Sequence, residues 1–115
     1  MVIRRDWFKR QVSILAQALG AALGLRKKGD VEASLQAFEN ALHEAFGMNG
    51  KLALALPLES FLSLACRGEA PDPELLSSLA ELFREWGDAL AERGLAADAA
   101  AARSRAQELL KRASA

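Results

Sequence analysis

Threonine and tyrosine are absent from this chain of 115 residues, and valine and isoleucine together fill only five positions. Residues that suit a pleated strand are therefore nearly missing, whereas alanine and leucine, both strong helix formers, dominate. The fold class expected is all-α. A single cysteine, Cys66, excludes an internal disulfide, so nothing calls for an oxidising compartment and a cytoplasmic location is expected. The chain also lacks the uninterrupted apolar run of about 20 residues that a membrane helix needs, so no membrane partner is expected. With 51% hydrophobic and 26% charged residues, it has the apolar content that disordered chains lack. Its length fits one domain, 1–115, able to bury about two-thirds of the surface exposed when unfolded.

Net charge is zero, but the charges are segregated. From Met1 to Lys28, seven basic residues (Arg4, Arg5, Lys9, Arg10, Arg26, Lys27, Lys28) face one acidic residue, Asp6, giving +6. The remainder carries 8 basic and 14 acidic residues, giving −6. A basic first element in an acidic body is expected to meet acidic helices within the fold or across a dimer. Nucleic-acid binding through Arg4, Arg5, Lys9 and Arg10 is the alternative, although only Trp7 and Phe8 supply aromatics near those charges. Arg4 and Arg5 ahead of an apolar run imitate a secretion signal. Asp6, Gln11, Ser13 and Gln17 interrupt that run at helical spacing, so a retained core helix is expected.

The first helix is predicted over Asp6–Lys28, with Asp6 as its cap and Arg26, Lys27 and Lys28 at the negative end of its dipole. Two apolar stripes run along it: Phe8, Val12, Leu15, Leu19, Ala22, and Trp7, Ile14, Ala18, Ala21, Leu25. Gly20 and Gly24 share a third face with Ser13 and Gln17. They either permit close backbone approach or merely weaken an exposed turn. Gly29 stops this helix and Asp30 caps the next, whose stripe is Val31, Leu35, Phe38, Leu42, Phe46. After Gly47, Asn49 and Gly50, "LALALP" (Leu52 to Pro57) has no strand to pair with and is expected to be a loop containing a helical turn. A short third helix, Leu58–Arg67, is predicted to bury Leu58, Phe61, Leu62 and Ala65. "APDPELL" opens a fourth helix running to Arg93, with Asp72 as cap and Pro73 in the first turn. It too has two stripes, Leu75, Leu79, Leu82, Trp86 and Leu76, Ala80, Phe83, Gly87, Leu90. Gly94 breaks it, and a fifth helix over Ala96–Arg112 carries the seam Ala99, Ala102, Ala106, Leu109, Ala113.

Two of these hairpins resemble tetratricopeptide units, which turn at Gly-Asp and place small and aromatic residues at set positions. The first matches through Ala22, Leu25, Gly29, Asp30, Phe38 and Ala41, with Ser34 where an alanine is usual. The second matches through Phe83, Gly87, Leu90, Gly94, Ala99 and Ala106, with Arg103 where an aromatic is usual. The resemblance implies a right-handed bundle of antiparallel hairpins. The segment between is too short for a third unit. Over its whole length the chain also resembles a small bacterial family of helical domains of unknown function, through "RRDWFKR", "LGLRKKGD", "LPLESFLSL", "DPELL" and the closing Ala-rich helix. That family brings no reaction, cofactor or catalytic residue.

Chemistry is sparse. His43 and Glu39, one helical turn apart, could supply two metal ligands where three or four are needed, so no metal is expected. Cys66 beside Arg67 is read as core-facing rather than nucleophilic. Glu81, Glu85, Asp88 and Glu92 form an acidic face on the fourth helix, read as solvated or partner-facing. No catalytic residue and no cofactor is assigned.

The expectation is a non-catalytic protein–protein interaction module, self-associating as a homodimer. The first and fourth helices carry more apolar surface than one hairpin partner covers, which either the compact fold or a second chain must cover. By analogy with tetratricopeptide grooves, the partner-binding residues would be Leu19, Leu23, Arg26 and Lys27 with Glu81, Arg84, Asp88 and Glu92. A helical pocket for an apolar small molecule, or running an unrecognised reaction, is a further alternative.

Overall fold

The computed structural model describes residues 2–115, with side chains from Asp6 onward, and among these residues there are six helices and no strand. They are α1 (Val2–Lys27), α2 (Val31–Phe46), α3 (Gly50–Ala55), α4 (Leu58–Ala65), α5 (Pro73–Glu92) and α6 (Ala96–Ser114). The all-α class is as expected, with one more helix than the sequence announces. No helix among the described residues is long and apolar enough to cross a membrane.

Turn chemistry sets most boundaries. Gly29 takes a left-handed φ of +84°, and the Asp30 carboxylate accepts the Ala33 N–H at 3.1 Å, closing the α1–α2 hairpin. The Asp72 carboxylate accepts the Glu74 N–H at 2.8 Å while Pro73 occupies the first turn of α5. Asp6 does not cap α1. The helix begins at Val2, because the residues before Asp6 include neither glycine nor proline to stop it. α4 is shorter than predicted, ending at Ala65.

The segment expected as a loop containing a helical turn is helical from Leu52 to Ala55, within α3. Asn49 Oδ1 accepts the Leu52 N–H at 2.8 Å, and Glu39 Oε1 accepts the Gly50 N–H at 2.8 Å, so two side chains satisfy the first donors of this single turn and a half. A β-carbon at Gly50 would push the Glu39 carboxylate out of this position and cost its hydrogen bond. The Leu/Ala alternation is then read by a helix, which buries Ala53 and exposes Leu52.

The core is built around α5. It packs most extensively on α6, and also on α1 and α2, and both of its stripes are buried. Phe61 of α4 meets Phe83 edge-on at 5.5 Å, and Phe83 lies 5.6 Å from Trp86. Each fully buried Phe or Leu of this cluster contributes about 1.5–3 kcal/mol of hydrophobic stabilisation. The fold itself therefore covers the apolar surface of α5. α1 is covered less completely: Phe8, Leu15 and Ala22 are buried, Trp7, Ile14, Ala18 and Leu25 are half-buried, and Ala21 is exposed. Leu58, expected in the core, is half-buried.

Among the described residues, three polar side chains are buried with this core: Gln11, Ser34 and Arg105. The Gln11 side-chain amide donates to the Ala45 carbonyl, tying α1 to α2. Arg105 is only 6% exposed, donating to the carbonyls of Ala53 (3.1 Å) and Leu56 and to Glu108 (3.1 Å). Ser34 is fully buried and its hydroxyl has no hydrogen-bond partner. Since a desolvated, unbonded hydroxyl costs free energy, Ser34→Ala is expected to raise stability by about 1 kcal/mol in denaturant unfolding.

Candidate protein-binding face

The two helices predicted to line a groove, α1 and α5, lie side by side and run parallel. Their direction follows from α2, which the Gly29 turn makes antiparallel to α1. Glu32 of α2 pairs with Arg93 just beyond α5, while Leu35 and Glu39 line one cleft with Leu90 and Trp86. Rising numbers on α2 thus meet falling numbers on α5. α5 is antiparallel to α2 and hence parallel to α1.

Arg26 joins the pair. Its Nη1 lies 3.1 Å from Glu85 Oε1 and its Nη2 2.8 Å from Glu92 Oε1, while Nε donates to the same Glu92 oxygen at 3.2 Å. The Glu92 hydrogen bond is the main reason the Arg26 guanidinium is held above the ordinary arginine range, with desolvation opposing it. Its share of stability is complete below the ordinary arginine pKa and is lost only as pH rises through the raised value. Salt, not pH, therefore perturbs this cluster in the neutral range. Arg84 Nη2 lies 3.0 Å from Glu85 Oε2, and Arg103 of α6 reaches Asp88 at 2.8 Å.

Of the eight residues proposed from sequence, Leu23, Arg26, Lys27 and Glu92 line one open groove of about 580 Å3 together with Gly20 and Gly24. Leu19 is half-buried nearby on α1. Glu81, Arg84 and Asp88 continue outward along α5, but Arg84 and Asp88 are engaged with Glu85 and Arg103. The sequence reading left Gly20 and Gly24 undecided between close approach and a weak turn. Nothing lies within 4 Å of where their β-carbons would stand, so they are an open stretch of backbone in the groove. Their signal was present: two glycines one turn apart and off both apolar stripes.

Of the alternative basic residues, Lys9 and Arg10 are exposed on α1, while the side chains of Arg4 and Arg5 lie outside the described residues. His43 is exposed on α2 and Glu39 is occupied at the start of α3; among the described residues no three His, Cys, Asp or Glu stand together as a metal site. Cys66 is buried at the end of α4. A second depression, of about 440 Å3, lies among α2, α3, α5 and α6, with an apolar lining that includes Leu35, Leu54, Leu90 and Leu95, and with Glu39, Lys51 and Asp98 also bordering it.

Compared with known proteins, the chain matches no family model, no curated protein and no solved structure.

Proposed function

We propose that the chain is a non-catalytic interaction module that binds another polypeptide, a second copy of itself included, through the outer face of α1 and α5. The observation that carries this reading is the groove in which Gly20 and Gly24 leave the α1 backbone open beside Leu23, with Lys27 on one wall and Glu92 on the other. Bare backbone next to a half-buried leucine lets a partner helix or extended segment approach closely, and the flanking charges set its orientation. The arrangement also supports a tetratricopeptide-like reading. α5, the first helix of the second hairpin, packs against both helices of the first, which sets the two first helices side by side. α3 and α4 replace a middle repeat, with α3 resting on α2 and α6.

The test is a double substitution, Gly20→Arg with Gly24→Arg, which fills the groove without touching the core. Captured polypeptides are expected to be lost from this variant and kept by Leu52→Ser, an exposed change on α3. Equal capture by both variants would contradict the reading.

The depression among α2, α3, α5 and α6 favours a second reading, a site for an apolar small molecule, because its volume falls in the range of ligand pockets. Trp86 lines it, so titration with a medium-chain fatty acid should shift tryptophan emission if that reading holds. An unchanged spectrum would remove it.

A further inference from the structure

The outer face of α1 and α5 carries a charge pattern that complements itself. Along α1 the exposed residues Lys9, Ala16, Gly20 and Lys27 fall on one line, with cations at its ends and small residues between. Along α5 the corresponding line is Glu74, Glu81, Asp88 and Glu92, with Arg84 beside it held by Glu85, Asp88 by Arg103 and Glu92 by Arg26. Lys9, Lys27, Glu74 and Glu81 make no ion pair among the described residues, so their charges are not neutralised within the chain. The two lines lie on adjacent parallel helices.

We propose that this face binds a second copy of the chain, related by a two-fold axis running parallel to α1 and α5, so that each α1 lies over the α5 of the other copy. The inference rests on the reading of this face as a docking surface and names its occupant. A two-fold axis in that direction preserves levels along the helices. Arg26 fixes those levels, since it reaches both Glu85 and Glu92. Lys27 then stands at the level of Asp88 and Glu92 of the second copy, Lys9 at the level of Glu74, and the small residues Ala16 and Gly20 at the level of Glu81. An axis across the helices would instead stack α1 on α1 and α5 on α5, setting like charges together, which costs free energy. The arrangement is isologous, as expected of a homodimer.

The size of the face bounds the affinity. Twenty residues of α5 span about 30 Å and two adjacent helices are about 20 Å wide, so about 600 Å2 is covered on each copy. The total of about 1,200 Å2 stands at the lower limit of specific interfaces. A weak dimer that loosens further as salt rises is the consequence.

Sedimentation equilibrium of the full chain, with two charge-reversed variants, tests this. One variant carries Lys9→Glu, the other Glu74→Lys, the two positions that the arrangement sets at one level; circular dichroism checks that each is folded. Wild type is expected to dimerise, and each variant alone to associate at least about tenfold more weakly, because acid then faces acid or base faces base. An equimolar mixture is expected to restore the dimer, since an acidic position 9 then lies over a basic position 74 on one side and the wild-type pair remains on the other. A wild type that stays monomeric to millimolar concentration overturns the dimer, while the docking face itself is judged separately by the capture experiment with Gly20→Arg and Gly24→Arg. Variants that dimerise as wild type does, or a mixture that stays monomeric, overturn the α1-over-α5 arrangement.

Discussion

Arg105→Ala is expected to lower the unfolding free energy by about 3 kcal/mol and the midpoint of thermal unfolding by about 10 °C. The side chain is buried on α6, yet its guanidinium holds the Ala53 and Leu56 carbonyls at the end of α3 and lies 5.0 Å over the Phe61 ring. These contacts fix α3, and the turn leading into α4, against α6. Truncation orphans two carbonyls, one of them buried, and removes the guanidinium from the face of Phe61. Arg105→Met separates the contributions: it keeps most of the packing and loses the hydrogen bonds, so the loss measured for Met over wild type is the polar share. If Arg105→Ala unfolds with the wild-type midpoint, the α3 attachment described here is wrong.

Gly87→Leu is expected to be comparably damaging, at about 3 kcal/mol, through overpacking where α5 and α6 approach closely. A β-carbon at Gly87 would stand 2.8 Å from Arg103 Cγ, 3.3 Å from the Ala99 carbonyl oxygen and 3.5 Å from Ala102 Cβ. The Arg103 stem can shift, but the backbone oxygen and Ala102 belong to the facing helix. Further side-chain atoms can be placed only by parting the helices and loosening Ala99, Ala102 and Ala106 from their partner. Gly20→Ala is the control, because open space surrounds that position and the gain in helix propensity is worth up to about 1 kcal/mol. Denaturant unfolding should move the two variants in opposite directions. A wild-type midpoint for Gly87→Leu would mean that α5 and α6 do not approach as closely as described.

The hairpin turns were legible because their signals are local. Gly29-Asp30, Asp72-Pro73 and Gly94 act through φ angles and caps that a few neighbouring residues determine. The two stripes of α5 were equally readable as apolar, but not what would cover them, since the coverage comes from four helices spread along the chain. α3 is announced only as a helical turn, because its start at Gly50 depends on the Glu39 carboxylate, eleven residues earlier in sequence, reaching the Gly50 N–H. Arg105 gave no signal at all: an arginine among alanines reads as solvated, and its burial depends on where the α3 carbonyls finish. Two departures from the tetratricopeptide pattern have visible outcomes. Arg103, in the usual aromatic position, lays its stem over Gly87 and pairs with Asp88, while Ser34, in an alanine position, is left with an unbonded hydroxyl.

For the candidate face, sequence analogy found four of the six residues lining the groove, Leu23, Arg26, Lys27 and Glu92. It did not find that Arg26 is already held by Glu85 and Glu92. That contact joins residues 59 and 66 positions apart, and it turns a proposed partner contact into an internal strut. Among the described residues, the charged groups on the two lines of this face without an ion pair are Lys9, Lys27, Glu74 and Glu81, beside the bare backbone at Gly20 and Gly24.

Amide NMR spectra of the isotope-labelled chain, recorded alone from micromolar to millimolar concentration and again in lysate of its own cells, test the docking face most directly. Concentration-dependent shifts or broadening are expected along Lys9–Lys27 of α1 and Glu74–Glu92 of α5, with α3 and the outer side of α6 unaffected. Spectra that change nowhere, or that change around α3 and α6 instead, would contradict the account.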